Sequence, residues 1–293
     1  MDTSLTRLKL AKMKLDYLVT GGKGFIGRNL LDFLDENGKR YVTVDIDPRP
    51  YDGTDENICI DSSLHLPSIE SKTLVHLASE TNVRKSVKEP VSVIRRNMRS
   101  LLNCLELLRS KVFDEMVFTS SANSKLCTSP YLASKMSSEC ICDAYRQSYD
   151  LSIRVLKLSN VYGPHSIHKH SVIPTFIRNC LDKKPLKIFG DGSQKRDFVY
   201  VQDVVDSIYY GKSGAIASGE LYSIKTIAYM ISELSVDYIG YRPEIVYEEA
   251  VKGEVVNAVK WTDIVPKVSL EEGLRMTFNW FLECYGAQQL VTC

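Results

Sequence analysis

The sequence predicts an α/β chain built on a doubly wound parallel sheet. Three observations carry that prediction. Short runs of β-branched and aromatic residues alternate with segments of helical apolar spacing through the first half of the chain. The first of those runs, near Leu18-Val19-Thr20, ends in a turn with glycines at 21, 24 and 27. An acidic residue, Asp45, closes the second run about 20 residues further on.

Residues 1–13 carry Arg7, Lys9 and Lys12 against Asp2. They read as an extension ahead of a first strand near Leu15, with a basic amphipathic anchor as the other reading. In the turn, Gly21 permits a tight bend and Gly24 lets a pyrophosphate approach the backbone. Gly27 lets the following helix pack on the strand. A loop rich in glycine only for turning would share this spacing, so the context decides. Asn29 to Leu34 has helical apolar spacing, with a stop at Glu36-Asn37-Gly38, and Tyr41-Val42-Thr43-Val44 is the second strand. Asp45 at its end is placed to accept hydrogen bonds from an adenosine ribose and to repel a 2′-phosphate. That argues for NAD over NADP, although Arg49 is close enough to weaken the preference.

Ile58-Cys59-Ile60 is a short third strand ending at Asp61-Ser62, a place for adenine contacts. The run from Thr73 to Ser79 is nearly continuous in apolar residues, as a buried parallel strand should be. His76 within it reads as a core imidazole rather than a catalyst, and small residues at 78 and 79 would let a dinucleotide pass. Pro90 starts a helix over 91–108 with Val91, Ile94, Met98, Leu101, Leu102, Leu105 and Leu108 on one face. Asn97 in that helix is placed to reach the sheet edge.

A fifth strand, Glu115 to Thr119, runs into Thr119-Ser120-Ser121-Ala122-Asn123. Hydroxyls at the carboxyl end of a parallel strand lie where open α/β sheets bind ligands. Tyr131 follows Ser121 by 10 residues, and Lys135 lies four beyond it, on the same helix face. An ammonium near a phenol favours the phenolate. Such a phenolate can take a proton from a sugar hydroxyl that Ser121 hydrogen-bonds while hydride leaves the same carbon. A Tyr-x-x-x-Lys spacing arises by chance on many helices. Its position after the glycine turn and the hydroxyl-rich strand end favours the catalytic reading.

The 293 residues fit one large α/β domain or two unequal ones, and 44% apolar content suits a sizeable core. A net charge of +1 gives no electrostatic case for nucleic acid. No apolar run approaches bilayer-spanning length, and the N-terminus lacks the apolar core of a signal peptide. The eight cysteines show no paired metal spacing, so no metal site is expected and the thiols are read as reduced in a cytoplasmic protein.

Several ordered segments together resemble the extended short-chain dehydrogenase/reductases, the NAD-dependent nucleotide-sugar epimerase/dehydratase family. They are Thr20 to Gly27, His76-Leu77-Ala78, and Ser121 with Tyr131-x-x-x-Lys135. Further on come Arg154 to Pro164, Ser171 to Ile177, Pro185 to Val204, and Val268 to Arg275 with Trp280-Phe281. The likeness spans nearly all of 14–286, is UDP-glucose 4-epimerase-like, and is more specific for the superfamily than for the activity.

The resemblance implies a Rossmann-type NAD-binding domain over 14–165 plus part of 191–212. It implies a smaller α/β domain for the nucleotide sugar over 166–190 and 213–286. Gly21, Gly24, Phe25, Ile26 and Gly27 would form the dinucleotide loop, with Asp45 on the ribose and Asp61 and Ser62 at the adenine. Leu77, Ala78 and Asn97 would line the cofactor. Ser121, Tyr131 and Lys135 would be the catalytic set, with Lys135 also holding the nicotinamide ribose. Asn160, Val172, Arg196 and Lys252 would hold the substrate. A planar guanidinium at Arg196 suits a diphosphate, and a surface pair with Asp197 is its bland alternative.

Departures narrow the chemistry. The loop between Ser121 and Tyr131 is short. Ala122-Asn123 stands where dehydratases of the family carry Asp-Glu. Lys252 replaces the usual Arg, keeping the charge and losing the fork. The sequence therefore favours a UDP-sugar 4-epimerase acting through a transient 4-keto sugar. A nucleotide-sugar reductase or 4,6-dehydratase is the first alternative, and a weakly catalytic NAD-binding regulatory protein the second. The family implies a homodimer through the helices near 91–108 and 130–149.

Overall fold

The computed structural model describes residues 15–48, 56–249 and 262–291. The 1–13 extension, Arg49 and Lys252 lie outside the described residues. Strand β1 (Leu15–Thr20) buries Leu18 and Val19 completely and leads into helix α1 (Phe25–Glu36). Strands β2 (Tyr41–Asp45), β3 (Glu56–Cys59) and β4 (Ser71–His76) follow. Parallel pairing sets Val19 level with Thr43 on one side and Val75 on the other, and Val75 level with Val117. Their carboxyl ends therefore come out along one edge of the sheet.

Helices α2 (Val83–Lys88) and α3 (Pro90–Arg109) lead to β5 (Phe113–Ser121), and α4 (Pro130–Tyr149) to β6 (Ile153–Leu158). Local chemistry fixes the start of α4. Pro130 takes the first position, where no N–H is needed, and Ser129 Oγ accepts from Leu132 N at 3.2 Å. The main sheet has seven strands in the order β11-β6-β5-β4-β1-β2-β3, with β11 at Gly214–Ile216. This is the doubly wound α/β sheet expected from the alternating pattern. Its core gathers Leu18, Leu74, Leu101, Leu105, Met116 and Phe118.

The remaining elements are β7 (Asn160–Tyr162), α5 (Val172–Leu181), β8 (Leu186–Phe189), β9 (Lys195–Arg196), β10 (Phe198–Tyr200) and α6 (Val201–Tyr209). After β11 come β12 (Tyr222–Ser223), α7 (Ile224–Ile239), β13 (Ile245–Glu248) and α8 (Leu270–Val291). They form two-stranded pairings β10-β7, β12-β9 and β13-β8 around a second core that includes Phe176, Ile188, Ile231, Leu274 and Phe278.

The described residues divide into two compact units. One runs to Lys157 and takes in Ser207–Gly214, and the other holds Leu158–Asp206 and the chain from Ala215 onward. The sequence reading set the first boundary at 165. In the structure the division falls at 157/158, because Ser159 Oγ and Asn160 Nδ2 both donate to the Asp197 carbonyl, at 2.8 and 2.7 Å. The sequence reading also gave part of 191–212 to the first unit, and Ser207–Gly214 clusters with it. That segment is held by the Phe33–Tyr209 ring contact at 5.1 Å and by Arg154 Nη1 on the Ile208 and Lys212 carbonyls.

Candidate active site

The glycine turn is closed by contact as well as by conformation. Gly21 has φ +75°, and a Cβ there would lie 2.7 Å from the Ala78 nitrogen. At Gly27 a Cβ would meet the Gly21 carbonyl oxygen at 2.3 Å, so the helix packs on the turn only with glycine there. Gly24 caps α1 without a side chain. The N–H groups of the first turn are thus left to a ligand, the arrangement that suits a pyrophosphate.

Asp45 is oriented from both sides. Its Oδ2 accepts from Lys23 N and its Oδ1 from Asp47 N, each at 3.0 Å. The buried Lys23 donates its ammonium to the Asp47 carbonyl at 2.9 Å. A cleft of about 630 Å³ opens here, and its lining includes Gly21, Gly24, Asp45, Asp61, Ser62, Leu77, Ala78 and Asn97. The loop residues Phe25, Ile26 and Gly27 are not part of that lining. Phe25 and Gly27 turn into the fold, both buried. The cleft also takes in Ser79, expected to let a dinucleotide pass, and Lys23, Glu80, Arg96 and Ser100, which the sequence reading did not single out as site residues. Lys23 stands inside the glycine turn itself. Arg96 and Ser100 lie one residue before and one turn after Asn97, a spacing that could have found them.

Beside Asp61, Ser62 Oγ meets Ser100 Oγ at 2.6 Å, and Asn103 Nδ2 donates to the Ser62 carbonyl at 2.8 Å. Arg96 Nε stands 3.8 Å from Asp61 Oδ2, a loose pair at a partly exposed position. The fourth strand stops at His76, earlier than the expected Ser79, so Leu77, Ala78 and Ser79 form the loop that edges the cleft. Asn97 does not stop at the sheet edge. Its Oδ1 accepts from Glu80 N at 2.9 Å, and its Nδ2 donates to the Glu80 carbonyl and to Ser134 Oγ. Ser79 Oγ is buried with no hydrogen-bond partner.

His76 is a core imidazole. Its Nδ1 lies 2.7 Å from Thr20 Oγ1, its ring stacks on Phe118, and burial holds its pKa down to about 3, so it is neutral.

Ser121 ends β5, and Tyr131 and Lys135 stand one turn apart on α4. Ser121 Oγ accepts from Asn123 N at 3.3 Å, which leaves its proton free to be donated elsewhere. The buried Lys135 Nζ donates to the Thr119 carbonyl at 2.9 Å and sits 4.8 Å from the Phe118 ring centroid. The helix is thereby pinned to the strand end that carries Ser121. The expected lowering of the phenol pKa does not appear. Burial pushes Tyr131 up to about 12, and burial brings Lys135 down to about 8. Burial is the cause at Tyr131, and at Lys135 it exceeds the opposing pull of Cys142 and Glu139.

In the second unit, Asn160 starts β7 and is tied by N and Nδ2 to the Asp197 carbonyl. Val172 opens α5 and packs, half-buried, on the second core. Arg196 lies in β9 opposite Tyr222. Asp197 is fully buried, and its carboxylate accepts from Ser218 N and Gly219 N, each at 2.8 Å. It faces inward, away from the surface pairing with Arg196 that was the bland alternative.

Residues 17–224 match the model of the NAD dependent epimerase/dehydratase family. A UDP-glucuronate 4-epimerase of Thermodesulfobacterium geofontis is 31% identical, over 91% of this chain and 96% of the relative. A dTDP-glucose 4,6-dehydratase of Neisseria meningitidis is 28% identical, over 91% of this chain and 93% of its own length. Among solved structures, the UDP-glucose 4-epimerase of Thermotoga maritima with UDP-glucose superimposes with a TM-score of 0.83. It is 27% identical and covers 92% of this chain and 100% of its own.

Proposed function

We propose that this chain, which belongs to the NAD dependent epimerase/dehydratase family, is a nucleotide-sugar 4-epimerase that takes a UDP-sugar and uses Tyr131 as its base. The residues present fit NAD. The cleft offers an uncapped helix end, an oriented ribose carboxylate and a buried Ser79 hydroxyl without a partner. Gly21 and Gly24 would hold the pyrophosphate, Asp45 the adenosine ribose, and Asp61 and Ser62 the adenine end. When bound, NAD supplies reversible hydride transfer.

The observation that carries the reading is the pinning of Lys135 to the Thr119 carbonyl. It holds the helix that carries Tyr131 and Lys135 against the strand that ends at Ser121, which supports reading the three as one set. Tyr131 takes the proton from the sugar 4-hydroxyl. Ser121, with its oxygen already accepting from Asn123 N, donates to the same substrate oxygen. A phenol raised by burial needs a nearby cation to ionise, and in this reading the Lys135 ammonium, one helical turn along, would have to supply it. Asn160, Val172 and Arg196 would hold the nucleotide. Lys252 would add a second cation. The first unit would thus serve the cofactor and the second the nucleotide sugar. Ala122 and Asn123 stand where a dehydratase needs an acid and a base, which favours epimerisation over the dehydratase activity of the Neisseria relative.

The assembly we propose is a homodimer through α3 and α4. Exposed Val91, Ile94 and Leu102 offer apolar area for it on α3, and sedimentation of the purified protein tests it.

Incubation with UDP-, dTDP- and GDP-sugars, followed by NMR of the products, tests the reaction. Tyr131→Phe should lower turnover by about 10²- to 10⁴-fold while NAD binding persists. Unchanged turnover in that variant would remove Tyr131 from the mechanism.

A further inference from the structure

Glu139 lies on α4 one turn beyond Lys135 and is buried, at 5% exposure. A buried carboxylate is unfavourable unless its oxygens are satisfied. Here Oε1 accepts from Ser120 Oγ at 2.5 Å and from Ser124 Oγ at 2.7 Å, and Oε2 faces Lys157 Nζ at 2.8 Å. Ser120 precedes Ser121 in the strand. Ser124 opens the one-turn 3-10 segment Ser124–Leu126 inside the shortened loop. Lys157 is on β6, the strand beside β5. One side chain therefore ties the end of β5, the short loop and β6 to the helix that carries Tyr131 and Lys135.

We infer that Glu139 is a positioning residue acting through Ser121. The route is short. Glu139 holds Ser124, which fixes the loop that carries Asn123, and Asn123 N donates to Ser121 Oγ. That bond sets where the Ser121 proton points. Holding Ser120 fixes the same strand end from the other side. Stability alone gives little reason for a buried ion pair here, since apolar replacement of such pairs is often neutral or better. A short loop that must hold a donor in place does give one. The inference rests on the reading of Ser121, Tyr131 and Lys135 as the catalytic set.

The test uses Glu139→Gln, the milder Ser120→Ala/Ser124→Ala, and both combined with Ser121→Ala. Each of the first two should lower kcat about tenfold, with KM and the Kd for NAD unchanged within about twofold. Added to Ser121→Ala, neither should cost more than about a further twofold, because the path through Ser121 is already cut. Unchanged kcat, a proportional rise in KM, or losses that multiply with Ser121→Ala would overturn the inference. Amide exchange over 122–127 gives a readout apart from turnover. It should speed up in both variants if they remain folded, and unchanged exchange would also overturn the inference. Should Tyr131→Phe keep full turnover, the catalytic reading falls, and the exchange result still decides whether Glu139 braces the loop.

Discussion

Lys135 is the residue on which fold and chemistry pull in opposite directions. It is buried, with its ammonium on the Thr119 carbonyl and above the Phe118 ring. Desolvation lowers its pKa from 10.5 to about 8, against the opposing pull of Cys142 and Glu139. The folded pKa lies below the unfolded one, so between about pH 8 and 10.5 the unfolded chain binds more protons. The penalty for the buried charge is therefore fully present below pH 8 and is relieved as pH rises through that window. Lys135→Met keeps the volume and removes the charge. We expect it to abolish turnover and to raise the unfolding free energy at pH 7 by ~1–3 kcal/mol. Urea unfolding at pH 7 and at pH 10 measures this, and the gain should shrink at the higher pH. A destabilised variant would show that the bonds of Lys135 outweigh its desolvation.

At the scale of elements, much was legible and the misses have physical causes. The glycine turn could be read because its contacts are local, Gly27 closing on the Gly21 carbonyl within one motif. The helix over 91–108 was found nearly to its ends, and Leu101, Leu105 and Leu108 of its expected apolar face are buried, but the rest of that face divides. Val93, Ser100 and Cys104 are buried, while Val91, Ile94 and Leu102 are exposed. Apolar spacing locates a helix and leaves its rotation to packing. Helix α2 was missed because Val83-Arg84-Lys85-Ser86-Val87-Lys88 is short and polar, with Asn82 capping it through Lys85 N. The role of Asn97 was out of reach as well, since it depends on a loop that exists only because β4 ends at His76. Asn97 joins α3, that loop and α4 through Glu80 and Ser134. We expect Asn97→Ala to cost about 1–3 kcal/mol of stability, because it strips partners from the part-buried Glu80 N–H and carbonyl and from the buried Ser134 hydroxyl. It should also weaken NAD binding by about tenfold, as residues 77–80 edge the cleft. Calorimetric titration with NAD and thermal unfolding check both effects, and NAD affinity equal to wild type would separate this loop from the cofactor.

For the whole molecule, the division of the chain was the hardest feature to read, because long-range bonds decide it. Nothing around Asn160 announces that its side chain will meet the carbonyl of Asp197, or that Asp197 will be buried against the backbone of Ser218 and Gly219. Those bonds place 158–206 in the second unit together with Asn160, Val172 and Arg196, while every cleft residue belongs to the first. That separation makes a kinetic expectation specific. If the first unit holds the cofactor and Arg196 grips the nucleotide diphosphate, a change at 196 should register in the substrate alone. Arg196→Lys keeps the charge and removes the planar fork that suits two phosphate oxygens. We expect KM for the nucleotide sugar to rise about 10- to 100-fold, kcat to change less than about threefold, and the Kd for NAD to stay at its wild-type value. Steady-state kinetics beside NAD titration of the same variant separates the outcomes. A loss of NAD affinity would move Arg196 to the cofactor, and an unchanged KM would take it out of the substrate grip.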